Sequence, residues 1–153
     1  MPLILADRYI PEKLLGQGGF GAAFLAKDRY SPTLRSCVVK QFKPAGNLGK
    51  EELELARVLF AREGVVLEEI GNQHPQIPDL FAYFTPIVPT TNKASNKSTE
   101  QYFYLVQEYI DGNDLETELE KTGRFNEDGV QLILQEVLQI LEFIHKKNVI
   151  HRI

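Results

Sequence analysis

Apolar positions fall in short strand-like runs through the first part of the chain and in helical stripes towards its end. Tyr9 to Leu15 predicts a short strand, with Pro11 near its start, where a missing N–H is tolerated. Four glycines then sit within the six residues Gly16 to Gly21. Ala22 to Lys27 fits either a short helix or a strand and turn, because Ser31-Pro32 closes the segment soon after. Ser36 to Phe42, SCVVKQF, is apolar and β-branched with a lysine inside it, and predicts a strand. Lys50 to Ile70 carries Leu55, Leu59, Leu67 and Ile70 at helical spacing, with Gly71 placed to cap the C-terminus. After the HPQIP turn, Leu80 to Phe84 is a short aromatic strand. The polar, proline-bounded stretch TPIVPTTNKASNKSTEQ reads as a surface loop. Tyr102 to Ile110, YFYLVQEYI, is the clearest strand pattern, and DGND breaks it. A short helix follows over Leu115 to Lys121, ending near Gly123.

The last element is a long helix from Asn126 to Lys147. Asn126 is placed to cap it, with Glu127 and Asp128 in the first turn and Lys146 and Lys147 in the last, which suits the helix dipole. Its apolar stripe is Val130, Ile133, Leu134, Val137, Leu138, Leu141 and Ile144. The whole order predicts an α+β chain that changes character near residue 111, with one unit over residues 1–110 and a second over 111–153.

Composition narrows the function classes. Charged residues are 25% and the net charge is −4, which gives no basic face for nucleic acid. No apolar run approaches the length of a membrane span, and the N-terminus lacks a basic region and a small-residue cleavage site. The single cysteine, Cys37, forms no internal disulfide. These features predict a cytoplasmic protein with no membrane segment.

The glycine cluster admits three readings. It is a plain hairpin turn, a dinucleotide-binding turn, or a flap over a nucleotide triphosphate. Gly16, Gly18 and Gly21 fit G-x-G-x-x-G, but a dinucleotide turn needs a helix directly after it and an acidic residue further on, where Lys40 stands instead. The flap needs strand, loop, strand, turn and then an apolar strand with one lysine, and the sequence supplies each in order. The ATPase loop G-x-x-x-x-G-K-[ST] is absent. Residues without Cβ let backbone N–H groups approach phosphates closely, which favours the flap. Phe20, at the tip, would cover the site against water.

Lys40 shares a strand face with Val38, an odd setting for an ammonium unless it has a partner or simply reaches solvent at an edge. Glu63 lies along one helix face with Leu59 and Leu67, where a buried carboxylate needs a partner or must turn outward. A Lys40–Glu63 pair accounts for both placements at once.

Taken together these residues resemble the N-terminal part of a eukaryotic-type Ser/Thr protein kinase domain, of the kind also found in bacteria. The resemblance runs from about Tyr9 to Arg152. It rests on the glycine loop with Leu15, on Val38-Val39-Lys40, on LFAREGVVLEEIG with Glu63, on HPQIP, on YLVQEYIDGNDL and on ILEFIHKKNVIHR. It implies a kinase-like N-lobe of five antiparallel strands and one major helix, followed by a hinge and the first two helices of an incomplete helical lobe. It implies ATP with Mg as the bound nucleotide. Gly16, Gly18, Gly19, Phe20 and Gly21 would lie over the phosphates, and Lys40 would contact the α- and β-phosphates and pair with Glu63. Leu15, Ala23 and Val38 would sandwich the adenine, Gln107 falls at the gatekeeper position, and backbone groups of Glu108 and Ile110 would bond the adenine edge. Asp114 falls where the family often contacts ribose or substrate.

The sequence also departs from the family. Ala23 replaces the usual Val and Val38 the usual Ala. The interval from Glu63 to His74 is slightly long, which leaves Glu68 and Glu69 as alternatives for the pairing carboxylate. The family reads H-R-D where this chain has His151-Arg152-Ile153, and isoleucine accepts no proton. Losing a general base costs roughly 10²–10⁴ in rate. The family's metal-binding motifs and activation loop are also absent from the chain, so no metal ligand is assigned. The expectation is the ATP-binding part of a serine/threonine kinase. It would be inactive alone, with protein substrates only in the intact parent and a partner or self-association covering the 130–144 helix face. A non-catalytic nucleotide-binding or regulatory interaction module is the alternative.

Overall fold

A computed structural model describes residues 4–18, 21–42, 49–85 and 102–150. The chain divides into two compact units, Met1–Tyr109 and Ile110–Ile153. The first unit is a five-stranded sheet in the order β1-β2-β3-β5-β4. The strands are β1 (Tyr9–Gly18), β2 (Gly21–Asp28), β3 (Ser36–Phe42), β4 (Leu80–Phe84) and β5 (Phe103–Glu108), and helix α1 (Lys50–Ile70) stands between β3 and β4. Every neighbouring pair is antiparallel. The segment at Ala22 to Lys27, ambiguous in sequence, is strand: β2 pairs along its whole length with both β1 and β3. That pairing overrides the helical preference of its alanines.

Strand alternation divides the sheet into two faces. Ala26, Cys37, Val39, Tyr104 and Val106 point to one side and join Tyr9 in the buried core, with Leu5, Phe81, Ala82, Phe84 and Tyr102 packed around them. In a flat sheet of this order the edge strands β1 and β4 would lie about 19 Å apart. Yet the rings of Tyr9 on β1 and Phe84 on β4 stack with centroids 6.0 Å apart. The sheet therefore curls around its core, and burial of this aromatic cluster is the force that curls it. Burial also pushes the Cys37 thiol up to about 11, so it is an inert core side chain.

The open end of the curl is closed by charge. Asp28, with no exposed surface, accepts two hydrogen bonds of 2.8 Å from Arg8, two of 3.2 and 3.1 Å from Arg35, and one of 3.1 Å from the Tyr30 N–H. Arg35 also lies over the Phe81 ring at 3.7 Å. One carboxylate thus ties the chain before β1 to the end of β2 and the entry of β3.

The Tyr9 hydroxyl, by contrast, is buried without a partner among the described residues. An unsatisfied buried hydroxyl contributes nothing and costs its desolvation. Tyr9→Phe is therefore expected to leave stability unchanged or raise it by up to about 1 kcal/mol in urea unfolding. A clear loss of stability would mean that the hydroxyl has a bound water as partner.

Helix α1 packs on the other face. Glu51 and Glu52 sit in its first turn, and the Glu52 carboxylate accepts the Gly49 N–H at 3.0 Å. The Phe60 ring meets Phe42 at 5.3 Å and Tyr83 at 6.0 Å. A Cβ on Gly64 would stand 3.1 Å from the Tyr83 ring and 3.7 Å from Leu105, so glycine here lets helix and sheet approach closely. The stripe expected from the leucines is rotated by this contact. Leu55 and Leu59 are more than half exposed, while Phe60, Gly64 and Ile70 take the packed side. Large aromatic area outweighs the more regular leucine spacing. Gly71 caps the C-terminus of α1 as its placement predicts, its N–H donating to the Leu67 carbonyl oxygen. It is right-handed, with φ −55° and ψ −52°, and the chain runs on into a 3₁₀ turn at Gly71–Gln73. Glycine is required there because a Cβ would stand 2.8 Å from the Pro78 carbonyl oxygen.

The second unit holds α2 (Leu115–Thr122) and α3 (Glu127–Lys146). Asp114 caps α2 by accepting the Thr117 N–H at 2.7 Å, and Gly123, with φ 78°, ends it. Asn126 caps α3 by accepting the Gly129 N–H at 2.8 Å. Within the α3 stripe Ile144 is buried, but Val130, Leu134, Val137 and Leu138 are exposed. No helix among the described residues is long and apolar enough to cross a membrane.

Candidate functional site

The site is assembled by strand register. Directly paired residues of an antiparallel sheet present their side chains on the same face. Lys40 on β3 is opposite Ala23 on β2 and Leu105 on β5, and Val38 is opposite Leu25 and Gln107. Ala23, Val38, Lys40 and Gln107 therefore share one face, the face on which α1 lies. From α1, Glu63 reaches this face, and the Lys40 Nζ donates to its Oε1 in an ion pair. Glu68 and Glu69, the alternatives by spacing, are exposed.

The pair is not a core bridge: the side chains of Lys40 and Glu63 keep 34% and 40% of their surface exposed. Pairs in such a setting contribute little to stability. What the pair does is hold an ammonium at a fixed point on a largely apolar sheet face.

The β1–β2 hairpin borders that point. Its ladder shifts register between Leu14 and Gly16, so Leu15 is an extra residue of a bulge, 44% exposed. Bulges of this kind re-aim side chains beside functional sites. The glycines fall into two groups. Gly21 has φ 154°, and a Cβ on it would stand 1.9 Å from the Gln41 carbonyl oxygen. The fold itself demands glycine there. Among the described residues, nothing lies within 4 Å of the place a Cβ would take on Gly16 or Gly18. The packing gives no reason for glycine at these two positions. Gly19 and Phe20 lie outside the described residues, as do His151, Arg152 and Ile153.

At the far end of the shared face, Gln107 has a buried Oε1 with no hydrogen-bond partner among the described residues. The next residue, Glu108, is braced: its N–H donates to the Asp79 carbonyl at 2.9 Å and its Oε2 accepts the Asp79 N–H at 3.3 Å. In the second unit Ile110 is 58% exposed. Asp114 is occupied as the cap of α2, and the Thr117 N–H it accepts lowers its pKa. A recess of about 450 Å³ lined by Asn72, His74, Asp79 and Glu108 lies at the α1–β4 connection, away from Lys40 and the hairpin. Among the described residues no three His, Cys, Asp or Glu side chains form a cluster for a metal ion.

These features suit a nucleotide triphosphate. The hairpin leaves space above two glycines, an anchored ammonium stands beside it, and an unsatisfied acceptor waits further along the same face. The residues sequence reasoning missed are structural ones. Asp28 gave no signal, because its two arginine partners are far apart in the chain or across a turn.

A family description for the protein kinase domain matches residues 9–152. The chain is 60% identical to serine/threonine-protein kinase F of Synechocystis sp., over 99% of this chain and 30% of that protein. It is 39% identical to serine/threonine-protein kinase PknA of Nostoc sp., over 99% of this chain and 24% of that one. With serine/threonine-protein kinase C of Synechocystis sp. the identity is 41%, over 97% of this chain and 25% of that protein. The chain thus spans less than a third of the length of these curated relatives.

Proposed function

The chain belongs to the protein kinase domain family, and we propose that it is the ATP-binding part of a serine/threonine kinase, which in the intact protein presents ATP for phosphoryl transfer to hydroxyl groups of protein substrates. The observation that carries this reading is the Lys40–Glu63 ion pair, formed on the sheet face beside the hairpin. In phosphoryl transfer the protein's task is positioning and charge stabilisation. Lys40 would neutralise phosphate oxygens, and Glu63 would hold its ammonium in place. Backbone N–H groups of the hairpin would donate to phosphates over Gly16, Gly18 and Gly21, with Gly19 and Phe20 completing the loop. Leu15, Ala23 and Val38 supply the apolar walls for the base, and the backbone of Glu108 and Ile110 its polar edge. Asp114 would meet ribose or substrate. Magnesium bound with ATP would shield the phosphate charge; none of the described residues is assigned to hold it. The exposed stripe of α3 leaves apolar area in water, which a partner or self-association would cover.

Lys40→Ala tests the reading. A lost charge-assisted contact to phosphate lowers ATP affinity by roughly 10- to 100-fold. Thermal unfolding should hardly change, since the pair is partly exposed. Calorimetric titration of ATP into both chains decides it, and equal affinities would exclude Lys40 from the phosphate site.

A further inference from the structure

We propose that Gly64 is a positioning residue: the bare backbone it presents to the sheet sets how far Glu63 reaches over β3, and so where the Lys40 ammonium stands. The inference deepens the ATP reading and rests on it. Three observations carry it. Lys40 on β3, Leu105 on β5 and Tyr83 on β4 are directly paired and form one row across the sheet. Helix α1 meets that row at two consecutive residues: Glu63 accepts the Lys40 ammonium at one end, and Gly64 is buried over Leu105 and Tyr83 at the other. The place of a Cβ on Gly64 is already crowded, 3.1 Å from Tyr83 Cδ2, 3.6 Å from its Cε2 and 3.7 Å from Leu105 Cδ1.

Glycine inside a helix is less stable than alanine, so its presence in the interior of α1 calls for a compensating gain. Close approach of helix to sheet is that gain. Leu105 is fully buried and has no room to withdraw. Tyr83 is held by Phe60, one turn earlier on α1, with ring centroids 6.0 Å apart. A side chain at position 64 therefore lifts α1 from the row. An ion pair needs nitrogen and oxygen within about 4 Å. As the helix rises, Lys40 either loses Glu63 or follows it, and both take the ammonium from its place beside the hairpin. Gly64 offers no side chain to a ligand. It acts through Glu63 and Lys40.

The test crosses the seat with the group it seats. ATP is titrated into the wild-type chain, Gly64→Ala, Gly64→Leu, Glu63→Ala and the two double variants, all below their melting transitions. Two sizes are used because the Tyr83 ring can give way in part to a methyl group but not to a leucine side chain. Gly64→Ala should weaken ATP binding roughly threefold and Gly64→Leu roughly tenfold, a part of what complete loss of a charge-assisted phosphate contact costs. With Glu63→Ala present, neither substitution should change the affinity by more than about twofold, because no carboxylate is left to position. A substitution that merely loosened the fold would weaken binding equally in both backgrounds, and that result overturns the role of Gly64. Unchanged affinity in Gly64→Leu overturns it as well. Where Gly64→Leu does not fold, Gly64→Ala is read by the same two criteria. Failure of the wild-type chain to bind ATP overturns the ATP reading, and this inference with it.

Discussion

Replacing Asp28 with alanine will lower folding stability by about 3–5 kcal/mol, the cost of breaking a buried ion cluster from one side. The carboxylate is fully buried and satisfies both Arg8 and Arg35, so its removal leaves two guanidinium groups without their acceptor. It also releases the side-chain tie among three segments: the approach to β1, the end of β2 and the entry to β3. Hydrogen bonds from Arg8 hold its carboxyl down at about 2, against an ordinary value of 3.8, while the same contact pushes the Arg8 guanidinium up. A lowered carboxyl pKa stabilises the fold above the unfolded value and loses that contribution as pH falls towards the folded one. Between pH 4 and pH 2 the wild type should therefore lose about 2 kcal/mol from this group. Asp28→Asn should lack that part of the acid dependence. Urea unfolding of the three proteins at pH 7, 4 and 2.5 measures both effects. Parallel pH profiles for wild type and Asp28→Asn would show that Asp28 is not the group responsible.

Gly21→Ala should be the second most damaging change, by about 3 kcal/mol or more, because strain at positive φ adds to overpacking. The new Cβ would stand 1.9 Å from the Gln41 carbonyl oxygen and 3.2 Å from the Phe42 Cα, and neither backbone atom can move without opening the β2–β3 ladder. Lys40 directly precedes Gln41 on β3, so the distortion reaches the ammonium as well. Gly18→Ala is the control. It meets open space, and stability should change by less than about 0.5 kcal/mol. Under the proposed function its effect should appear in ATP affinity instead, since a methyl group there would stand in the way of a phosphate. Paired unfolding and ATP-binding measurements on the two variants separate the glycine that builds the hairpin from the glycine that serves the ligand. A Gly18→Ala chain that loses stability as Gly21→Ala does would remove that distinction.

The elements themselves were legible in the sequence. SCVVKQF and YFYLVQEYI read as strands, and Lys50 to Ile70 and the segment capped by Asn126 read as helices, because period and caps are local properties of the chain. The pairing partner of Lys40 was legible as well, since a carboxylate among apolar helix positions needs a cation and the chain offers one on an apolar strand. One feature was not legible, and two were legible only in part. The packed face of α1 was read through Leu59, when Phe60 and Gly64 take the contact. At β2 the alanines left a helix open beside the strand that the order of elements called for, and pairing with both neighbours decides it. Gly71 caps α1 as its place in the sequence suggested, but its approach to the Pro78 carbonyl was not visible there.

What the sequence determined by itself was the order of strands and helices, the α+β class, and the order along the chain of the residues in the proposed phosphate site. The tertiary structure alone decided how the sheet curls, which glycines are structural, which helix face meets the sheet, and that Asp28 closes the curl between Arg8 and Arg35. The division has a physical cause. Periodicity, capping and turn chemistry act over a few residues, whereas close packing and charge burial depend on atoms brought together from distant parts of the chain.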